Sequence, residues 1–550
     1  MTQPYQTWFE EQLKTRSRRY SSGGGRVKIS VITAIYDKTD VGFLRETAQS
    51  ILTQRHANLE WIVTADGPIP NELLVAIQLL RRDSRVRFFA RPKGGIIRTM
   101  RWCLERATGD YLVPVDGDDL ISHDALEIFS GVIRANGEPP FLYSDEDHLI
   151  EGKPDVPYFR PAWDPVLNTS SSFVWHLIAF SRKLALELGV YDDELSNWCH
   201  DWDTVFRFAD AGHTPIHVPE VLYHWRQHAA SSTNRPNPVS DSLLSQKHVL
   251  EKHLARKGVS AHFDIEEFPV FRGAKEWWLR RKRESERAVD VILVASRASD
   301  AVEAVECLRA SCGPRLSRIL VCGLSPVESA SLRSAEPSLE IIEADGLAGL
   351  REAISRATGE IVVVADDQVR WAGEEWLWEA ESHFDLHPDC ALISARLLDG
   401  GKRVGTGGEI FGLGGLVGVP NEGVAHDDAG MFALYLKPRS VSAVNARFFV
   451  AHRDFLIRAV GSLPRSATLS ALGVWLGAAA SDAGLRVVFS PLVAGNYPGQ
   501  VPRMEWGEGE RETFLGQHQD KIPDRRWFLP HAPLADRARL REEHDVHLCE

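Results

Sequence analysis

Apolar positions at the start of the chain recur first at helical and then at strand-like intervals. Tyr5, Trp8, Phe9 and Leu13 share one face, which predicts a short amphipathic helix over residues 5–20. The run Ser21-Ser22-Gly23-Gly24-Gly25 breaks it. Beyond the break, strand-like stretches at Val27–Ala34, Leu59–Asp66, Val86–Ala90 and Tyr111–Val115 alternate with helical patterns over Val41–Thr53, Asn71–Arg82 and Ile97–Ala107. This alternation predicts an α/β domain with a mostly parallel sheet flanked by helices. Such sheets bind ligands at the carboxyl ends of their strands.

A second series of the same kind begins at Val289–Ser296 and continues through Arg318–Gly323 and Leu339–Asp345. The stretch ATGDYLVPVDGDD aligns with ATGEIVVVADDQV, so Asp116 falls on Asp366 and Asp118 on Gln368. Likewise Ala209–Leu222 resembles Ser481–Val493, which places Asp201 and Asp203 at about Gly473 and Trp475. The pattern predicts a tandem repeat whose second copy keeps its strand and glycine pattern but loses both proposed acidic functions. The expected organisation is an N-terminal arm over 1–26, a first domain over 27–238 and a helical connector over 239–287. A degenerate, non-catalytic second domain over 288–500 and a C-terminal tail over 501–550 complete it. The glycine-rich run Gly405–Gly418 lacks the order of a phosphate loop and reads as an irregular or extended loop.

At 550 residues the chain exceeds one hydrophobic core. A net charge of -13 argues against a nucleic-acid-coating protein. No apolar run approaches the roughly 18 residues of a spanning helix. The seven cysteines form no CxxC pair. These features predict a cytoplasmic protein with reduced cysteines and leave peripheral attachment to the inner face of a membrane, and homo-oligomerisation, open.

Candidate chemistry collects at strand ends. Asp66 closes one strand and Asp116-Gly117-Asp118-Asp119 follows another. Carboxylates around a glycine suit magnesium or manganese, ions that bridge substrate phosphates. The bland alternative is a solvated turn, with Asp119 capping a helix that begins near 122–124. Asp145, Glu146 and Asp147, followed by the proline- and aromatic-rich 157–165 with Trp163, read as a structured loop above the sheet and as acceptor-side candidates. His200, Asp201, Trp202 and Asp203 open an amphipathic helix. There Asp201 reads as a general base, or as an acid favoured by the helix dipole. Arg226 is a candidate for phosphate and His228 for a metal nitrogen ligand, and both read equally as surface groups.

In this order, VITAIYD, TAD, ATGDYLVPVDGDDL, YSDEDH, YFRPAWDP, HDWDTVFR and PEVLYHWRQHAASS resemble the family 2 glycosyltransferases of GT-A fold, in particular those of bacterial surface polysaccharide and O-antigen assembly. The resemblance covers residues 1–238. It implies that Asp66 meets the nucleotide base and that the backbone around Thr33, Ala34 and Tyr36 lines base and ribose. It implies further that Asp116 and Asp118 serve the diphosphate-sugar, with Asp118 and His228 on a divalent cation. Asp201 is the implied base of an inverting transfer from a sugar nucleotide to a glycan or lipid-linked acceptor. Three departures stand out: Arg91–Gly95 replaces an asparagine-x-glycine, Thr99-Met100-Arg101 an alanine-arginine-asparagine run, and His200 precedes the implied base where an acid or glutamine is more usual. Lys93, Arg98 and Arg101 become substitute diphosphate contacts or signs of altered donor choice. A nucleotidyltransferase and a silent glycan-binding scaffold remain as rival readings.

Overall fold

The computed structural model describes residues 2–20, 27–227, 239–268, 276–284 and 287–524. The chain divides into two compact units. The first comprises Met1–Trp163 and Ser172–Ser260, and the second Asp164–Ser171 and Ala261–Glu550.

The elements of the first stretch of chain are α1 (Thr2–Arg19), β1 (Ile29–Ile35), α2 (Val41–Leu52), β2 (Leu59–Asp66), α3 (Asn71–Leu80), β3 (Val86–Arg91), α4 (Ile96–Arg106), β4 (Tyr111–Pro114) and β5 (Leu120–Ile121). They continue with α5 (Ala125–Ala135), β6 (Phe141–Ile150), β7 (Lys153–Tyr158), α6 (Pro165–Ser170), β8 (Ile178–Ser181), α7 (Arg182–Glu187), α8 (His200–Asp210), β9 (Ile216–Arg226) and α9 (Val239–Lys257). The sheet order is β3-β2-β1-β4-β8-β6-β9-β5, with β7 paired to β6. Strands β1 to β4 are parallel, as their alternation with helices requires. The expectation of a mostly parallel sheet needs correction beyond them. β8 runs antiparallel between β4 and β6, and β5 and β7 are antiparallel too, so the sheet is mixed. The apolar residues of β1, β2 and β4 are almost wholly buried.

The second unit repeats the layout. In order across its sheet lie Glu340–Ile341, Leu316–Cys322, Val289–Val294, Ile361–Asp366, Phe448–His452, Cys390–Leu398, Arg486–Asn496 and Arg439–Val441. The first seven strands match the first seven of the other unit in relative chain order. The last has a different origin, since β5 directly follows β4 whereas Arg439–Val441 immediately precedes the fifth strand in sequence. The glycine-rich run is not wholly irregular, because Ile410–Phe411 and Val417–Gly418 pair as a short hairpin. Residues 239–287 divide between the units. α9 is bound to the first unit by His253 and Arg256 on Asp210, and by His248 on Asp193. Among the described residues no helix is long and apolar enough to cross a membrane.

α1 is fixed to the first unit by a buried ion pair. Arg16 holds Asp124 at 2.6 Å and donates to the Val221 carbonyl, and both charged side chains are out of water. Burial pushes the Asp124 carboxyl up, but hydrogen bonds from Arg16 outweigh it and hold the group below its ordinary range. This stabilisation is present above the unfolded carboxylate pKa and is lost as pH falls through the depressed folded value. We expect Arg16→Met to lower unfolding free energy by about 3–5 kcal/mol, because it strands a buried carboxylate. Urea denaturation measures this, and a loss below about 1 kcal/mol would show that the pair behaves as an exposed one.

Candidate active site

The turn after β4 carries the acids. Asp119 is buried and accepts from the Tyr223 hydroxyl at 2.6 Å and from the Arg226 main-chain N–H at 2.7 Å. It does not cap α5, which is preceded by the Arg16-bound Asp124. The Arg226 guanidinium donates to the Asp118 carbonyl and to Glu46, and lies over the Phe43 ring. Arg226 therefore shapes the acidic turn, and β9 fixes the turn's geometry through Tyr223 and Arg226.

Facing the turn is His176, just before β8. Its Nε2 lies 3.8 Å from Asp116, its Nδ1 lies 3.3 Å from Glu146, and its ring stacks on Tyr223. Asp116, Asp119 and His176 each offer a ligand atom, all within 4.8 Å of one another. Two carboxylates and one imidazole suit a divalent cation such as manganese or magnesium. Glu146 behind the imidazole is the outer partner that such ligands commonly have. Burial alone would lower the His176 pKa, yet its hydrogen bond to Glu146 and the charges of Glu146, Asp116 and Asp119 raise it to about 9. Burial and repulsion from Asp116 lift Asp119 to about 8. Asp116 is also raised, by desolvation and by Asp118 and Asp201. Its side chain is 63% exposed, and the neighbouring His176 charge opposes the rise.

The sequence did not single out His176. Its only local signal is a histidine at the mouth of a short apolar stretch, and its role depends on β8 being antiparallel next to β4. The acids read as a loop are in fact inside strand β6. Asp145 accepts from Arg160 N–H and His217, Glu146 binds Trp175 and Arg160, and Asp147 binds Tyr5 and His224. All three acids are buried. Burial opposes ionisation of Glu146, but Arg160 and His176 hold its pKa to about 2.

Asp201 stands in the first turn of α8 and is ion-paired to His200 at 2.9 Å. Burial pushes its carboxyl up, and the His200 charge more than offsets that and lowers it. Its charge is among those that act on Asp116. Asp203 points elsewhere, pairing with Arg207 and Arg256, and Trp202 is buried against Phe206. Trp163 stacks on Phe173. Thr33 is buried and bridges β1 to the Val115 carbonyl, whereas Ala34 is half-buried and Tyr36 exposed. Asp66 accepts from Arg91 and from the N–H groups of Gly94 and Gly95, and so holds the loop before α4. Gly95 supports that loop with φ near +87°. Arg98 pairs with Glu194 on the surface and Arg101 with Glu105 and Asp192, while Lys93 is exposed. His228 lies outside the described residues.

The second unit permits a direct comparison through strand register. Tyr111 pairs with Ser181 and its counterpart Ile361 with His452, which puts Arg447 where His176 stands. Arg447 bonds Asp366 at 2.7 Å, a fixed positive charge on the counterpart of Asp116. Gly473 heads helix Leu472–Asp482 at the place of Asp201, and any Cβ there would meet the Val444 carbonyl at 1.8 Å. Trp475, at the place of Asp203, is buried with its N–H on Glu510.

The Glycosyl transferase family 2 profile matches residues 30–154, the part of the first unit that builds β1 to β6 and the acidic turn. Over these residues the chain is similar to family 2 glycosyltransferases, and it resembles bacterial surface-polysaccharide and O-antigen enzymes. Among its relatives, "Uncharacterized protein y4gI" of Sinorhizobium fredii is 26% identical over 80% of this chain and 49% of its own. "O-antigen biosynthesis protein RfbC" of Myxococcus xanthus is 29% identical over 43% of this chain and 19% of its own. An Escherichia coli "UDP-Gal:alpha-D-GlcNAc-diphosphoundecaprenol beta-1,3-galactosyltransferase" is 28% identical over 30% of this chain and 63% of its own. The chain spans about half or less of the first two relatives' length.

Proposed function

We propose that the first unit transfers a sugar from a nucleoside diphosphate donor to a hydroxyl of a glycan or lipid-linked acceptor, with inversion, in polysaccharide biosynthesis. The observation that carries this reading is the gathering of Asp116, Asp119 and His176 within 4.8 Å of one another after β4, with the charge of Asp201 acting on Asp116. Asp116, Asp119 and His176 would hold the divalent cation. Bound there, the cation supplies Lewis-acid stabilisation of charge on the departing diphosphate. Asp118 lies in the same turn and remains a donor-side carboxylate. Asp201 removes the acceptor hydroxyl proton as that oxygen bonds to the anomeric carbon and the bond to the nucleoside diphosphate breaks. Glu146 orients His176 from behind, and Tyr223 and Arg226 hold Asp119. Lys93 is the basic group whose exposure best suits a diphosphate, since Arg98 and Arg101 are engaged with acids.

The second unit reads as a degenerate copy. Arg447 supplies internally the positive charge that a cation would bring, and a catalytic carboxylate has no room at Gly473. Sugar nucleotides labelled separately in the sugar and in the nucleotide, incubated with a lipid-linked glycan acceptor, test the whole reading. We expect only the sugar label to move. Full-length Asp366→Ala/Asp367→Ala should retain most activity, and Asp116→Ala/Asp118→Ala should lose at least about 100-fold. Movement of the nucleotide label would make the protein a nucleotidyltransferase, and robust transfer by the Asp116/Asp118 variant would refute the assignment of the site.

A further inference from the structure

The chain leaves the first unit after Trp163 and returns at Ser172, and the residues between, Asp164–Ser171, are built into the second unit. Val166 is fully buried in that unit's core with Ile393, Phe448 and Val488. Asp164 caps α6 through the Val166 N–H and accepts twice from Ser440, from its N–H and its hydroxyl, each at 2.7 Å. Lys437 reaches the Ser171 hydroxyl at 2.9 Å and pairs with Glu276.

The two stems of this excursion lead directly to the candidate site. Arg160, on the outgoing stem, donates from Nε to the Phe173 carbonyl on the returning stem and pairs with Glu146 at 2.9 Å. Trp163 and Phe173 stack across the stems. Only Ser172, Phe173, Val174 and Trp175 separate Ser171 from His176. Trp175 donates to Glu146 at 2.6 Å, and Glu146 is the carboxylate behind His176. Thus three partners of Glu146 come from two short stems whose far ends are closed by α6.

We propose that the second unit positions the metal-site histidine of the first by holding Asp164–Ser171, with Asp164 as the principal positioning residue. The physical argument is one of chain entropy. A segment anchored only at its stems samples many arrangements, and ordering it must then be repeated each time the site forms. Anchoring α6 in a packed core removes that cost before the cation arrives. The same anchor explains why a copy without a catalytic carboxylate can remain useful to the protein. This proposal rests on the reading of His176 as part of the cation site.

The test uses the intact chain and Mn2+ alone, with calorimetry for affinity and amide exchange over residues 172–177 of the metal-free protein. Asp164→Ala should weaken Mn2+ binding by about tenfold, the low end of the range for losing an outer partner of a metal ligand, because Asp164 acts through the stems that hold Glu146. It should also speed exchange over 172–177. Ser440→Ala keeps the main-chain bond to Asp164 and should show a smaller loss of the same kind, which serves if Asp164→Ala folds poorly. Leu456→Ala truncates a buried side chain of the second unit in a core cluster that does not include Val166. It should lower unfolding stability while leaving Mn2+ affinity and exchange over 172–177 unchanged. Wild-type Mn2+ affinity in Asp164→Ala and Ser440→Ala, with loss in Asp116→Ala, overturns the positioning role and leaves the site reading intact. Equal weakening by Leu456→Ala also overturns it, as general destabilisation. Wild-type affinity in Asp116→Ala removes the site reading, and the proposal with it.

Discussion

Asp201→Asn is expected to lower the transfer rate by about 10²–10⁴-fold, the usual contribution of a positioned base. The amide keeps the shape of the side chain and its place in the first turn of α8. It cannot take the acceptor proton. The wild-type carboxyl is held low by the His200 charge and is therefore ionised at neutral pH without further help. Burial opposes protonation of His200, and the Asp201 charge raises it, so removing that charge should also let the His200 pKa fall. Because the ion-pair partner of Asp201 is His200 rather than a residue of the acidic turn, donor KM should change little while kcat collapses. Steady-state kinetics with saturating donor separates the two. Near-normal kcat on the true acceptor would move the base elsewhere. Asp203 is a poor second candidate, since it is buried and tied to Arg207 and Arg256.

His176→Gln should weaken cation binding and flatten its dependence on pH. In the metal-free site the imidazole pKa is raised to about 9 by Glu146, Asp116 and Asp119. The group therefore carries a proton at neutral pH, and a cation must displace it. The sign follows directly: apparent Mn2+ affinity rises as pH rises from 7 towards 9 and levels off above. Asp119, lifted to about 8, adds a second proton to release over part of that interval. Between pH 7 and 8 we expect affinity to increase about tenfold or somewhat more, since one displaced proton gives about a factor of ten per unit. With His176 replaced by a neutral amide, the slope should fall by about one proton and affinity at pH 8 should drop by about 10–100-fold. Calorimetry in buffers of different ionisation enthalpy counts the protons directly. An unchanged proton count in His176→Gln would remove the histidine from the site.

Much of the architecture was legible in the sequence. Apolar stretches of strand length alternating with helical periodicity gave β1 to β4 and α2 to α4 within a residue or two, because both periods are local properties of the backbone. The repeat was equally plain, since ATGDYLVPVDGDD and ATGEIVVVADDQV share spacing across a strand and its following turn. The acidic turn and the Asp201 helix start were visible for the same reason: each lies within one short window of chain. Tertiary structure alone decided which acids face the site. Asp145, Glu146 and Asp147 look like a solvated loop in sequence, yet pairing on both sides of β6 buries them and divides their partners. Pairing of β8 against β4 brings His176 to Asp116 across a long stretch of chain, and no local period encodes an antiparallel return. Arg98, Arg101 and Asp66 have the charges that donor contact requires, but nearby ions and N–H groups already engage them. The excursion of Asp164–Ser171 depends on burial of Val166 in a core assembled mostly from residues beyond 288. Local periodicity fixes elements, whereas the partners of a buried charge are chosen by long-range packing, which brings together groups that no short stretch of sequence contains.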